Sequence, residues 1–387
     1  MLIVPSISYW VFYMEEKHFT FIVTKSCQLS CKYCYLVGKN PNEEMSFNIA
    51  KAFVDLIISS FIPTKEDCIY FDFIGGEPLL KIDLISDICD YIEELFNASN
   101  HPWKDRHYFG ITTNGLLYNS SKVQNFISKY RSIIDISISI DGTKKKNDLN
   151  RIFPDGRGSY DYIEENVKLW LRQYPNAITK MVISSDDLPF VFESACHLIS
   201  LGLVRLDMNL VVEDVWKDGD DSILENQLIQ LADYVVDNNL YDSHKLYIFE
   251  DGIGHALTPG DALSPCRHSF LSVDSSGTLY TCLRFASFSL KNKGCRSVGD
   301  LSSGINWNHL RAFNTIDNLT VTANRCKDCE IASGCRWCPG ENYDTSSIGS
   351  IFNKATAICK MHKVRVRAKN YYTNRIISKE NGRIWKI

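Results

Sequence analysis

Cys27-Gln-Leu-Ser-Cys31-Lys-Tyr-Cys34 stands a few residues after the apolar run Phe19-Thr-Phe-Ile-Val23. The run reads as a strand, and the cysteines that follow have C-x3-C-x2-C spacing. A tight loop at the end of a strand can turn three thiolates toward one point. Thiolate is the soft ligand that iron–sulfur clusters take, and three of them hold three irons of a [4Fe–4S] cube. The fourth iron would then have no protein ligand and be open to a small molecule. The alternatives for these cysteines taken alone are a structural zinc site or burial in a core.

The chain has 387 residues, enough for two or three domains and a substantial core. Its 45% hydrophobic and 23% charged residues are ordinary for a globular protein. With a net charge of −4, nothing points to a nucleic-acid partner, and Lys144-Lys145-Lys146 reads as a solvated loop rather than a binding patch. The fourteen cysteines fall into tight groups at metal-ligand spacing, not into a disulfide framework, which argues for metal and a reducing cytoplasm. The apolar N-terminal run Leu2–Met14 has no preceding basic residue, contains Pro5 and lacks a small-residue cleavage site, so it is not read as a signal peptide. It is also too short to span a membrane. A strand Tyr9–Met14, turning at Glu15-Glu16-Lys17 into the strand Phe19–Thr24, is expected instead.

Downstream, Ser46 is a candidate helix N-cap before Ile49, Ala52, Phe53, Leu56 and Ile57 at helical spacing. The run Ile69–Ile74 reads as a buried parallel strand and leads into Gly75-Gly76-Glu77-Pro78. A helix over Ile82–Phe96 and a strand Tyr108–Thr113 follow, the latter ending in Asn114-Gly115. Next come a helix near Lys122–Tyr130 and a strand Ile134–Ile140 ending in Asp141-Gly142. Helices near Tyr160–Tyr174, Pro189–Leu201 and Ser222–Asn239 alternate with strands Ile178–Ser184 and Val204–Val211. About six strand–helix alternations imply parallel strands with right-handed crossovers. The candidate functional residues fall just past strand C-termini, where barrel-like α/β folds build their sites. The expected fold is therefore α/β, a partial (β/α)6 TIM barrel.

The second half changes character. Residues 241–265 read as a linking segment, and Phe270–Val273 with Thr278–Thr281 read as a β-hairpin around Asp274-Ser-Ser-Gly277. From Cys326 to Pro339 there is too little apolar sequence for a core, so metal staples are expected. A helix over Met361–Ile377 closes the chain.

The three-cysteine loop, with Tyr33 before its last cysteine, and the Gly75-Gly76-Glu77-Pro78 segment resemble the signatures of radical S-adenosylmethionine (SAM) enzymes. The resemblance covers roughly residues 17–240, with 1–16 as an N-terminal strand or hairpin. It implies that a cluster on Cys27, Cys31 and Cys34 chelates SAM and cleaves it to a 5′-deoxyadenosyl radical. It also implies that Tyr33, Gly75, Gly76, Glu77 and Pro78 lie about the SAM amino group, and that Asn114 and Ser139 lie on the rims that hold ribose and carboxylate. Arg151 is the candidate to pair with the carboxylate, with a surface salt bridge as its alternative.

Cys266, Gly277 and Cys282, then Cys326-x2-Cys329-x5-Cys335-x2-Cys338 and Cys359, resemble the SPASM domain of peptide-modifying radical SAM enzymes, placed at 266–387. The family wiring assigns Cys266, Cys282 and Cys338 to one auxiliary [4Fe–4S] cluster, and Cys326, Cys329, Cys335 and Cys359 to a second. A zinc ribbon is the alternative for the central four taken alone. Two departures stand out. Only Arg336 and Trp337 separate Cys335 from Cys338, where the family has three residues. No cysteine lies between Cys196 and Cys266, so either Cys295 reaches back or one iron of the first auxiliary cluster is open. Cys68, Cys89 and Cys196 read as core residues.

The resemblance is to maturases of ribosomally made peptides, in the branch that acts on repeated Cys-x-x-x units and forms thioethers (ranthipeptide-type). Implied partners are a Cys-containing precursor peptide, an electron donor such as flavodoxin or ferredoxin, and a separate leader-recognition protein or the Tyr9–Thr24 hairpin in its place. A sulfatase-maturating oxidase, a peptide epimerase and a C–C crosslinking enzyme are alternatives. The first of these carries an Asp where this chain has Leu283, and Arg284 cannot act as a base. A non-catalytic metal scaffold explains the motifs least well. No residue is singled out as a catalytic acid or base.

Overall fold

The computed structural model describes residues 16–39, 42–64, 67–258, 270–316, 326, 328–335 and 337–384. The expected strand Tyr9–Met14 and Cys266 lie outside them. The alternation is β1 (Glu16–Thr24), α1 (Phe47–Ser60), β2 (Cys68–Gly75), α2 (Ile82–Ser99), β3 (His107–Thr113), α3 (Ser121–Lys129) and β4 (Ile134–Ile138). It continues with α4 (Lys144–Asn150), α5 (Tyr160–Gln173), β5 (Ile178–Ile183), α6 (Val191–Ser200), β6 (Arg205–Leu210) and α7 (Asp220–Asp237). Ser46 caps α1 as expected, its hydroxyl accepting from the Ile49 amide at 3.3 Å. This is an α/β fold, with parallel strands joined by helical crossovers.

Strands β1 to β4 pair in parallel, and a parallel bridge between Ser139 and Lys180 carries the curve on to β5 and β6. The run Ile69–Ile74 is not uniformly buried. In register, Phe19, Phe71 and Phe109 form one row and Phe21, Phe73 and Ile111 the next. These rows face the helices, where Phe53 meets Phe21 at 5.1 Å and Phe96 meets Phe71 at 6.1 Å between ring centroids. Burying each such ring contributes about 1.5–3 kcal/mol. The alternate residues His18, Thr20, Tyr70 and Asp72 are only half-buried on the opposite face, and His18 bonds Asp72 at 2.8 Å.

The segment read as a linker supplies a seventh parallel strand, β7 (Lys245–Leu246), against the start of β6. The hairpin forms as expected, from β8 (Phe270–Val273) and β9 (Thr278–Tyr280). Its first strand also adds to β1 in parallel, with His18 opposite Phe270. One sheet therefore runs from the barrel into the C-terminal region through β10 (Gly299–Asp300) and β11 (Gly304–Ile305). The C-terminal helix Cys359–Ile384 lies along α7, with Arg367 on Glu225 and Arg375 on Asp233 and Asp237. Among the described residues no helix is long and apolar enough to cross a membrane.

Lys144-Lys145-Lys146 is not a solvated loop but the first turn of α4. Two helical residues turn the chain by about 200°, so Lys144 points out and Lys146 points in. Lys146 is fully buried; its ammonium donates to the Val182 carbonyl at 2.6 Å and stands 3.4 Å from Asp187. Asp187 also accepts from Asn150 at 2.6 Å and from the Ser184 amide at 3.0 Å. Because Arg151 directly follows α4, this pair sets where Arg151 stands. Lys146→Met leaves the Asp187 carboxylate buried without its counter-charge. The expected loss is about 3–5 kcal/mol, read as a lower urea midpoint at unchanged m-value.

Candidate active site

The three-cysteine loop sits on the end of β1 and is held from two sides. On one side the Gly76 amide donates to the Thr24 carbonyl at 2.9 Å, and the Glu77 amide to the Ser26 carbonyl at 2.8 Å. A Cβ on Gly75 would lie 2.0 Å from the Thr24 carbonyl oxygen, and one on Gly76 would lie 2.1 Å from that of Ser26. The close approach that these glycines permit is thus to the chain's own backbone beneath Cys27. On the other side, the Ser30 amide donates to the Ile152 carbonyl at 2.7 Å and the Lys32 amide to that of Asn150 at 3.0 Å. Residues 150–152 therefore cradle the loop.

Glu77 is buried and joins two strand ends. Its carboxylate accepts from the Thr113 hydroxyl at 2.6 Å, the Asn114 amide at 2.7 Å and the Leu79 amide at 3.1 Å. Burial raises its pKa against these three donors, which pull it down. Pro78 opens the single helical turn that Glu77 caps. The Asn114 side chain donates to the Gln28 amide oxygen at 3.2 Å, with the Cys27 sulfur at 3.8 Å.

A second buried carboxylate, Asp141, was not among the expected site residues, although Asp141-Gly142 ends the expected strand Ile134–Ile140. It accepts from the Tyr33 hydroxyl and, at 3.0 Å, from the Val182 amide, so it ties the cysteine loop to β5. Arg151 donates to the Tyr33 oxygen at 2.9 Å. Arg151 is buried, not a surface salt bridge, and its Nε has no hydrogen-bond partner among the described residues. Desolvation pushes the Tyr33 hydroxyl well above its ordinary pKa, so it stays protonated.

These groups meet in one cleft of about 600 Å³. Cys27, Cys31, Cys34, Tyr33, Gly75, Gly76, Glu77, Asn114, Ser139 and Arg151 all line it; Pro78 does not. The opposite wall is Cys282, Leu283, Arg284 and Cys338. Glu213, just past β6, lines the cleft too and pairs with Arg284 at 2.5 Å. Sequence spacing carried no signal for Glu213, because only the fold brings it to the cysteine wall. The cleft has what a SAM-bearing cluster needs: three thiols on one loop, a buried guanidinium with an unused donor for a carboxylate, and half-buried Ser139.

Cys326, Cys329, Cys335 and Cys359 line a separate pocket of about 40 Å³ with Lys354 and His362. Among the described residues no three His, Cys, Asp or Glu side chains close to the distances of a single ion. The four thiols line this one space together. Buried Arg365 holds this pocket to the barrel through the carbonyls of Ile248 at 2.9 Å and Gly334 at 3.2 Å. Cys295 is exposed and lines neither pocket. Cys68 and Cys89 are buried core residues, and Cys196 is half-buried.

Residues 21–184 match the model of the Radical SAM superfamily. An uncharacterised protein of Methanocaldococcus jannaschii is 32% identical over 197 residues, 50% of this chain and 63% of that protein, so the match spans under two thirds of that relative's length. The radical SAM cyclopropyl synthase TigE of Paramaledivibacter caminithermalis is 22% identical over 386 residues, 91% of this chain and 74% of its own. Among solved structures, anSMEcpe with bound AdoMet and Cp18Cys peptide superposes with a TM-score of 0.65 at 17% identity, over 95% of this chain and 99% of that one.

Two outcomes follow from the geometry. Gly76→Ala drives a methyl into the Ser26 carbonyl, so iron retained by the Cys27, Cys31 and Cys34 loop should fall, as read by iron analysis and Mössbauer spectra. Burial also raises the Cys27 and Cys31 thiols above their ordinary pKa and pushes Cys282 up to about 11. Iron must displace those protons, so iron retained against a chelator should rise steadily from about pH 6.5 to about pH 8.5.

Proposed function

We propose that this radical SAM enzyme modifies a Cys-containing, ribosomally made peptide, closing a thioether between a Cys sulfur and a carbon of an acceptor residue. The observation that carries it is the single cleft with cysteines on both walls, Cys27/Cys31/Cys34 facing Cys282/Cys338 across about 600 Å³. When bound, SAM and a [4Fe–4S] cluster supply a 5′-deoxyadenosyl radical that takes one hydrogen atom from the acceptor carbon; the thiol proton and one electron leave as the C–S bond closes. Cys27, Cys31 and Cys34 would hold the SAM-binding cluster. Arg151, with its unused Nε, would receive the SAM carboxylate, and Ser139 and Asn114 would line its flank. Glu77 and Asp141 position these groups and carry no chemistry. Cys282 and Cys338, with Cys266, would hold an auxiliary cluster as electron acceptor. Exposed Cys295 does not line the cleft. Cys326, Cys329, Cys335 and Cys359 would hold the second auxiliary cluster of a SPASM-type domain. The walls exclude water from the radical.

A second reading is C–C bond formation. A relative matched over 91% of this chain is a cyclopropyl synthase, and the core motifs serve either bond. The sulfatase-type oxidation is less supported, since Leu283 occupies the position of the base and Arg284 is paired with Glu213.

Anaerobic reaction of the reconstituted enzyme with SAM, reductant and the Cys-rich peptide encoded nearest its gene, read by mass spectrometry, separates these. Thioether closure removes two hydrogens and leaves the modified Cys resistant to iodoacetamide. Loss of two hydrogens with every Cys still alkylatable selects C–C closure instead. Arg151→Met should weaken SAM binding about 10- to 100-fold at unchanged iron content, measured by equilibrium dialysis.

A further inference from the structure

A smaller cavity of about 200 Å³ opens beside the cleft and shares Tyr35, Glu213 and Arg284 with it. Its remaining walls come from 214–215, from 289–292 and from the helix Pro339–Thr345. One guanidinium serves two carboxylates here: Arg284 Nη2 lies 2.5 Å from Glu213 and 3.7 Å from Glu341. Asp344 is committed to the backbone amides of Lys291, Asn292 and Lys293 at 3.0, 2.8 and 3.1 Å. Asp214 stands exposed at the rim. Four carboxylates thus face two cations, Arg284 and Lys291. Burial first, and then the Glu213 charge, raises the Glu341 carboxyl, which marks the pair as short of positive charge.

An independent observation points into the same space. Ser289 is 8% exposed, lines the cavity, and its hydroxyl has no hydrogen-bond partner among the described residues. A buried hydroxyl left without a partner is costly, and an incoming donor would satisfy it. At the rim, Tyr35 and Val215 are exposed apolar side chains able to cover an aliphatic stem.

We propose that this cavity is a substrate subsite that takes a Lys or Arg side chain flanking the modified residue. The ammonium or guanidinium would donate to Glu341 and Ser289, with its stem along Tyr35 and Val215. This rests on the peptide reading above and adds the class of residue that the peptide must carry. Arg284 lies closer to Glu213, at 2.5 Å, than to Glu341, at 3.7 Å, so Glu341 keeps acceptor capacity for the second cation.

The test uses the reconstituted, SAM-loaded enzyme and fluorescein-labelled, Cys-centred decapeptides. Each carries Lys, Gln or Glu singly at one flanking position, and affinity is read by anisotropy. At one flanking position Lys should bind at least about tenfold tighter than Glu, with Gln between them. Glu341→Gln should shrink that ratio to near unity, and Asp214→Asn on the exposed rim should reduce it by a smaller factor. If Glu341→Gln loses iron, the rim variant decides alone. Equal affinities at every position, or a ratio unchanged in the deciding variant, overturn the subsite and leave the peptide reading standing. Failure of every peptide to bind, whatever its charge, while SAM binds normally, overturns the peptide reading and the subsite with it.

Discussion

One buried carboxylate holds the site together. Glu77 draws the Thr113 hydroxyl and the Asn114 and Leu79 amides onto itself, and so clamps the end of the second strand to the end of the third. A carboxylate in that position is tolerated only because three donors converge on it. The same clamp presses Gly75 and Gly76 onto the backbone of Thr24–Ser26, where any side chain would collide. The base of the cysteine loop is thereby set by backbone contacts at Thr24 and Ser26. Preorganisation of this kind lowers the ordering cost of ligand capture.

The far wall of the cleft is placed by a different device. β8 adds to the free edge of β1, so the barrel and the C-terminal region share one sheet. Nearby, the Val37 and Gly38 amides donate to the Phe288 carbonyl at 2.8 and 3.2 Å, and the Lys25 ammonium lies 4.5 Å from the Phe288 ring centroid. The segment that carries Cys34 is thus bonded to the segment that follows Cys282. The placement of Cys282 beside the cysteine loop is a property of backbone pairing.

Charge inside the structure is used for placement more than for stability. Asp141 joins Tyr33 to β5, Lys146 joins α4 to Asp187, and both act on Arg151, one through the tyrosine hydroxyl and one through the helix that precedes it. Buried pairs of this sort contribute little net energy against apolar replacements of equal size, yet they cost several kcal/mol to break on one side. They define the position of Arg151 sharply.

Much of this was legible in the chain itself, for local reasons. Strand and helix periodicity marks six of the parallel strands and their crossovers, because alternation and helical spacing are written residue by residue. The spacings mark Cys27, Cys31 and Cys34, and Cys326, Cys329 and Cys335, as cysteines that share one space each, since a short loop keeps its thiols together wherever the loop goes. What the sequence could not show was decided at long range. The seventh strand has two residues and no periodicity to read. Lys146 looks like its neighbours until a helical turn carries it inward. Asp141, Glu213 and Glu341 are ordinary acidic residues whose roles arise only when elements distant in the sequence bring them against Tyr33 or Arg284. The identity of the ligand-holding loop is local chemistry and belongs to the sequence; which walls face each other, and across what distance, is set by sheet closure and belongs to the tertiary structure alone.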